Sequence, residues 1–278
     1  MSRRLMLIGS GGLILGLSAV VGCAPSKLAA STLDAGPTRT TRHAGTGARS
    51  SSRGRRPARV TSTEAPPRHP KSGHSAPATD GVAPAQPVYY VDGGPKVIAL
   101  TIDDGPSPIY TPQVLRILEK YRVTASFSMI GENVTYYPEM AREVADAGHA
   151  IVNHTWNHAD LALLSASQTR SEIASATDAI HTAVGKTPTM FRAPYGAWSR
   201  AALEYCASEN LTPLDWSVDP RDWVRPGVRE IVTNIIANTR TGSIILEHDG
   251  GGNRSETVAA LKIVIPRLLD EGYHFTTP

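Results

Sequence analysis

The 278-residue chain predicts an α/β fold in which about seven parallel strands close into a (β/α) barrel, preceded by a disordered tether. Three observations lead there. From Lys96 onward, short runs rich in Val, Ile and Phe alternate with longer segments of helical period. Asp103, Asp104, His154, Arg192, Asp219 and His248 stand at the carboxyl ends of different strands, where a barrel gathers its active-site loops; an open sheet uses mainly one switch point. The residues ahead of this alternation show no such pattern and too little apolar side chain to form a core.

Taken in order, Met1 to Cys23 holds Arg3 and Arg4, an apolar run from Leu5 to Val21, and Val20-Val21-Gly22-Cys23. This is the pattern of a secretory signal closing in a lipobox, residues 1–23, with Cys23 as the lipidated residue and Val20 where leucine is usual. Arg3 and Arg4 also suit twin-arginine export, and the apolar run is short for a bilayer span. The rest of the chain is therefore expected outside the cell, held by lipid at the outer face of the membrane, beside the cell wall, or released.

Residues 24–87 contain nine prolines and no Phe, Trp or Tyr, so they are read as a disordered linker. They carry ten Lys and Arg against three acids, whereas residues 88–278 carry 16 basic and 22 acidic groups. The basic character belongs to the tether, which suits a path through anionic wall polymer. Export argues against nucleic acid as the partner. With Cys23 lipidated, Cys206 has no partner; it lies in a helix-like stretch and reads as a small buried side chain.

In the folded part, 88–278, strands are predicted at Val97 to Ile102, Ala125 to Ile130, Ala150 to Asn153, Thr189 to Arg192, Thr212 to Val218, Ser243 to Glu247 and His274 to Thr277. Helices are predicted at Thr111 to Lys120, Pro138 to Ala147, Ser167 to Val184, Arg200 to Glu209, Arg229 to Thr239 and Ser255 to Glu271. Ser165 and Ser255 read as N-caps, and Gly148, Gly185, Gly242 and Gly272 as C-terminal stops.

Chemistry concentrates at the strand ends. Thr101-Ile102-Asp103-Asp104-Gly105-Pro106 puts two carboxylates where an apolar run is expected to break into a loop, a costly pairing unless a cation offsets it. His154 and His158 follow the third strand at a four-residue spacing. Two imidazoles and one carboxylate with open positions make a metal site fit for hydrolysis, and the other acid is then free to act as a base. Further along come Arg192-Ala193-Pro194-Tyr195-Gly196, Asp219-Pro220-Arg221-Asp222-Trp223 and Leu246-Glu247-His248-Asp249. Singly, each has a bland explanation as a turn, a capped loop or a strand end; in this order, they leave that explanation little room.

Together these segments resemble the polysaccharide deacetylases, the NodB-homology family known as carbohydrate esterase family 4, from Lys96 to the C-terminus. The resemblance implies a distorted (β/α) barrel of seven strands. It implies Asp104, His154 and His158 as ligands of a divalent metal, commonly Zn2+ with Co2+, Ni2+ or Mn2+ as alternatives, and Asp103 as general base. Arg192 would pair with Asp103 and aim it, and the backbone N–H of Tyr195 would stabilise the developing oxyanion. His248 would protonate the leaving group with Asp222 as its partner, while Trp223 and Leu246 would wall the acetyl pocket together with Tyr195. Asp219 matches the pattern without an assigned role, and Glu247 stands where an apolar residue is frequent.

The implied activity is removal of acetyl groups from a carbohydrate polymer, first of all N-deacetylation of amino sugars in peptidoglycan or a chitin-like glycan. O-acetyl xylan cleavage and non-catalytic glycan binding on the same scaffold remain alternatives. A non-haem iron oxygenase shares the two-His, one-carboxylate set, but the paired Asp103 and its arginine fit hydrolysis better.

Overall fold

The computed structural model describes residues 83–278; the export segment, Cys23 and the tether up to residue 82 lie outside the described residues. The strands are β1 (Val97–Gly105), β2 (Ser126–Met129), β3 (Ala150–Asn153), β4 (Met190–Phe191), β5 (Thr212–Pro213), β6 (Ile244–His248) and β7 (His274–Thr276). Their order is β5-β4-β3-β2-β1-β6, with β7 also on β1, and each pairing is parallel. Helices α1 (Thr111–Tyr121), α2 (Gly131–Tyr136), α3 (Pro138–Asp146), α4 (Ala166–Val184), α5 (Arg200–Ser208), α6 (Val228–Asn238) and α7 (Ser255–Asp270) fill the connections.

Alternation along β1 separates two apolar layers. Ile98, Leu100 and Ile102 are fully buried in the main core with α1, α6 and α7 residues such as Val114, Ile231 and Leu261. Ala99 joins Val152, Met190, Leu214 and Ile244 in a second, smaller cluster. Burying each large aliphatic side chain contributes about 1.5–3 kcal/mol, so the helix-facing layer anchors the sheet. The other layer leaves room for polar groups.

The barrel is distorted because no ladder joins β5 to β6. The gap is bridged instead by Val88 to Leu214, Tyr90 to Ser243, and Val218 to Ile245. Ala85, in the composition-defined linker, already donates its N–H to the Leu203 carbonyl at 3.2 Å. The strand expected over Thr212 to Val218 shrinks to two residues for a local reason. The carbonyls of Leu214 and Asp215 accept from the Arg192 side chain at 3.3 and 2.8 Å instead of continuing a ladder.

Helix ends mostly obey their chemistry. Ser165 closes a capping box with Gln168, and Gly185 ends α4 at φ 76°. Two expectations need correction. Ser255 is the first helical residue of α7, not its cap; the cap position is Arg254, and Asn253 Oδ1 accepts from the Ser255 N–H at 3.0 Å. Gly242 belongs to the turn before β6, since α6 ends earlier, at Asn238. Helix α2 was not anticipated, because Gly131 at its start reads as a break. A Cβ there would lie 2.8 Å from the Cα of Ala176 on α4, so only glycine permits this close approach.

Candidate active site

The two adjacent carboxylates share a pocket through a β-bulge. Strand β1 runs on through Asp103 and Asp104 to Gly105, and not, as the sequence suggested, only to Ile102. Asp103 pairs with Ser128 and Gly105 with Met129, so Asp104 is the extra residue, at φ 72°. A regular strand would send neighbouring side chains to opposite faces; the bulge turns both inward. Gly250 and Gly251 pack against it: a Cβ on Gly250 would fall 1.9 Å from the Asp104 carbonyl oxygen, and one on Gly251 2.5 Å from Asp104 Oδ2.

His154 follows β3, its N–H bonded to the Met129 carbonyl, and His158 lies on the loop beyond at φ 64°. Asp104 Oδ1 is 3.5 Å from His154 Nε2 and 3.1 Å from His158 Nε2. Yet among the described residues this buried oxygen has no hydrogen-bond partner. His154 Nδ1 faces the Arg192 carbonyl at 2.9 Å, an acceptor, so the proton belongs on Nδ1 and the Nε2 lone pair points inward. His158 Nδ1 meets the Tyr195 hydroxyl at 3.1 Å. One ligand atom from each of Asp104, His154 and His158 lies within 4.8 Å of the others. An orphaned carboxylate oxygen between two imidazole nitrogens suits a divalent ion with mixed N and O ligands. Burial opposes charge on Asp104, but the imidazoles of His154 and His158 beside it, with the field of His248, outweigh it and hold the carboxyl well below its ordinary range.

Asp103 sits beside this triad, Oδ2 3.8 Å from His154 Nε2. Its other oxygen accepts from Arg192 Nη1 at 2.8 Å. Arg192 is completely buried, and each of its nitrogens has a partner: Nη1 also reaches Thr101 Oγ1 at 2.7 Å, Nη2 the Asp215 carbonyl at 2.8 Å, and Nε the Leu214 carbonyl at 3.3 Å. Thr101 in turn donates to the Ile245 carbonyl. A guanidinium fixed at each nitrogen aims Asp103 without freedom to rotate away.

Across the cavity, His248 at the end of β6 shares a 2.7 Å contact from Nδ1 to Asp222 Oδ1. Asp222 Oδ2 accepts from the His248 N–H at 3.0 Å and from Thr257 Oγ1 at 2.6 Å. Burial alone would lower the His248 pKa; the Asp222 bond and charge, with the fields of Asp104 and Asp103, reverse this and push it up to about 9. Asp222 moves down, since the bond and charge of His248 overcome its burial. Asp219 Oδ1 accepts from the Arg221 N–H at 2.8 Å, which gives it a place in the fold: it shapes the turn that presents Asp222. Burial pushes the Asp219 carboxyl up. Asp249 is pushed up to about 7, chiefly by burial, with the Asp104 and Asp103 fields adding to it against the Thr111 hydrogen bond.

Asp103, Asp104, His154, His158, Asp219 and His248 line one cavity of about 580 Å³ with Tyr195, Trp223 and Leu246, while Arg192 and Asp222 lie behind Asp103 and His248. Leu246 is 3% exposed and Trp223 45%, so the first forms floor and the second rim. Tyr195 adopts φ 61°, its ring packs edge-on to His158 at 4.6 Å, and its backbone N–H has no acceptor among the described residues. A groove of about 670 Å³ between α1 and α3 lacks such a convergence of groups. The structure therefore brings together each site residue expected from sequence except Cys23, which lies outside the described residues. Glu247 points the other way. It is absent from the cavity lining and shares the face of β6 on which Ile245 joins the helix-covered core. Sequence reading missed Thr101, Asp215, Trp216, Arg254 and Thr257, of which Trp216 and Arg254 line the cavity. Arg254 and Thr257 lay in a segment that gave only a helix-start signal.

Residues 90–214 match the family model described as polysaccharide deacetylase. A chitooligosaccharide deacetylase of Bradyrhizobium sp. (strain ANU 289) is 40% identical over 192 residues, 65% of this chain and 88% of the relative. A peptidoglycan-N-acetylglucosamine deacetylase of Bacillus cereus is 41% identical over 191 residues, 68% of this chain and 89% of the relative. A crystal structure of the Bc1960 peptidoglycan N-acetylglucosamine deacetylase superposes with a TM-score of 0.66 at 33% identity, covering 68% of this chain and 89% of that one. With relatives matched over most of their length and the distorted barrel carrying the expected rim residues, the chain belongs to the polysaccharide deacetylase family.

Proposed function

We propose that this enzyme hydrolyses N-acetyl groups from amino sugars of cell-wall glycan, with peptidoglycan as first substrate and chitin-like oligomers as second. Its place of action would be the outer face of the cytoplasmic membrane, reached by export and a lipid on Cys23. The cationic tether would extend the domain through anionic wall polymer. The names of the matched relatives, deacetylases of chitooligosaccharide and of peptidoglycan N-acetylglucosamine, support an N-acetyl substrate.

One observation carries the reading: a ligand triad, an arginine-aimed carboxylate and a carboxylate-backed histidine open on the same cavity. Asp104, His154 and His158 would hold a divalent ion, zinc first; when bound, it lowers the pKa of water and polarises a carbonyl. Asp103 accepts the proton of the attacking water. The free N–H of Tyr195 donates to the carbonyl oxygen as negative charge develops there. Protonated His248 then gives its proton to the sugar nitrogen, because an amine anion is a very poor leaving group. Leu246 and Trp223 leave a short apolar slot that accepts an acetyl methyl and resists longer acyl chains.

The test is acetate release by the zinc-loaded protein from peptidoglycan, N-acetylglucosamine oligomers and acetylated xylan. Release from the first two with little from the third is expected. Release from xylan alone would establish O-acetyl ester cleavage instead, and release from none would leave glycan binding without catalysis.

A further inference from the structure

Glu247 has no part in the mechanism above, yet it is fully buried and, among the described residues, neither carboxyl oxygen has a hydrogen-bond partner. An ionised carboxylate in that position would stand desolvated and unpaired, a state proteins avoid by protonating the group. The groups around it are Asp222 and Asp219 from the loop before α6, Arg254 from the start of α7, and neighbouring His248 on β6. Arg254 does not pair with it, bonding instead the carbonyls of Gly250 at 2.6 Å and Trp223 at 3.3 Å. A protonated carboxyl needs an acceptor, and Asp222 has one to offer. A carboxylate has about four lone-pair sites. Asp222 Oδ2 already takes the His248 N–H and Thr257, while Oδ1 takes only His248 Nδ1.

We propose that Glu247 is a positioning residue for proton delivery: a neutral carboxyl that donates to the remaining site on Asp222 and so limits how tightly Asp222 holds the proton of His248. Burial, reinforced by the charge of Asp222, pushes the Glu247 carboxyl well above its ordinary range, in keeping with the neutral form. The benefit is balance. A carboxylate 2.7 Å from an imidazolium in enclosed surroundings strengthens the acid's grip on its proton, and a second donor on that carboxylate spreads the charge and loosens it.

The proposal rests on the reading of His248 as leaving-group acid, and its test reads the His248 proton directly. In the zinc-loaded full chain, the His248 ring would be titrated by ¹⁵N NMR, its signal identified by its loss in His248→Gln. Glu247→Gln keeps a neutral donor and is expected to leave the His248 pKa in place. Glu247→Met removes the donor and is expected to raise it by about half a unit or more, with the alkaline limb of kcat/KM moving alike. A downward shift in Glu247→Gln would mean that Glu247 is ionised and would overturn the proposal. An unmoved His248 in folded Glu247→Met would overturn it too. If His248 is not the acid, the NMR shifts persist while the kinetic limb stays fixed.

Discussion

Asp104, Thr155, His158 and Tyr195 all lie at positive φ, between 61° and 72°; three of them line the cavity that holds the proposed ion site and Thr155 follows the ligand His154. Each costs of order 1 kcal/mol in backbone energy for a residue other than glycine. The surrounding bonds hold them there, as where Asn153 Oδ1 accepts from the Thr155 N–H at 2.9 Å. The ligands are thus set by backbone before any ion arrives. Asp103→Asn is expected to lower kcat roughly 10²- to 10⁴-fold while metal content stays at the wild-type level, read by acetate release and metal analysis. His248→Gln should lose a similar factor on N-acetyl substrates and much less on O-acetyl esters, since an alkoxide departs more readily than an amine anion. Equal losses on both would remove His248 from its role. The His248 pKa is raised from 6.5 to about 9 in the fold, so its charge contributes stability that is fully present below pH 6.5 and lost as pH rises through about 9. Resistance of the wild type to denaturation should weaken as pH rises across that window, and His248→Gln should flatten the dependence. Asp103, Asp104, His154, Arg192 and His248 were legible because each is a polar group where an apolar run ends. Thr101 and Asp215 were not: one serves through a hydroxyl inside a strand and the other through its carbonyl, which any residue type could supply.

At the level of elements, the bulge in β1 and the glycine pair after β6 form one device. Gly250 lets two backbones pass at a distance that no side chain allows, and the bulge it covers presents Asp104 to the histidines. Gly250→Ala is expected to destabilise the fold by about 1–3 kcal/mol through overpacking and to weaken metal binding, measured by urea denaturation and metal titration. Ser165→Ala, which breaks the α4 capping box outside the cavity lining, should cost about 1 kcal/mol in the same denaturation assay. Apart from α2, the helices are readable nearly to their ends because period and caps are local signals. The bulge was hidden, since Asp103-Asp104-Gly105 reads equally well as a loop, and β5 was overcalled because Thr212 to Val218 is apolar enough for a strand. Only the buried arginine, which draws two carbonyls out of the ladder, decides otherwise.

For the whole molecule, the site depends on a ring that its own strands do not complete. Residues 88–90 and Val218 bridge the space between β5 and β6, so the segment just after the tether is part of the barrel. A chain starting at Lys96 should melt several degrees below one starting at residue 83, each kcal/mol lost being worth roughly 2–4 °C at this size. Such closure was not visible in the sequence, because single bridges carry no periodic pattern. One divalent ion is expected between Asp104, His154 and His158. Metal analysis of the purified chain beside Asp104→Ala, His154→Ala and His158→Ala tests it most directly. One ion per wild-type chain should be found, and be lost from each variant while its fold persists by circular dichroism; full stoichiometry surviving in any folded variant would rule this site out.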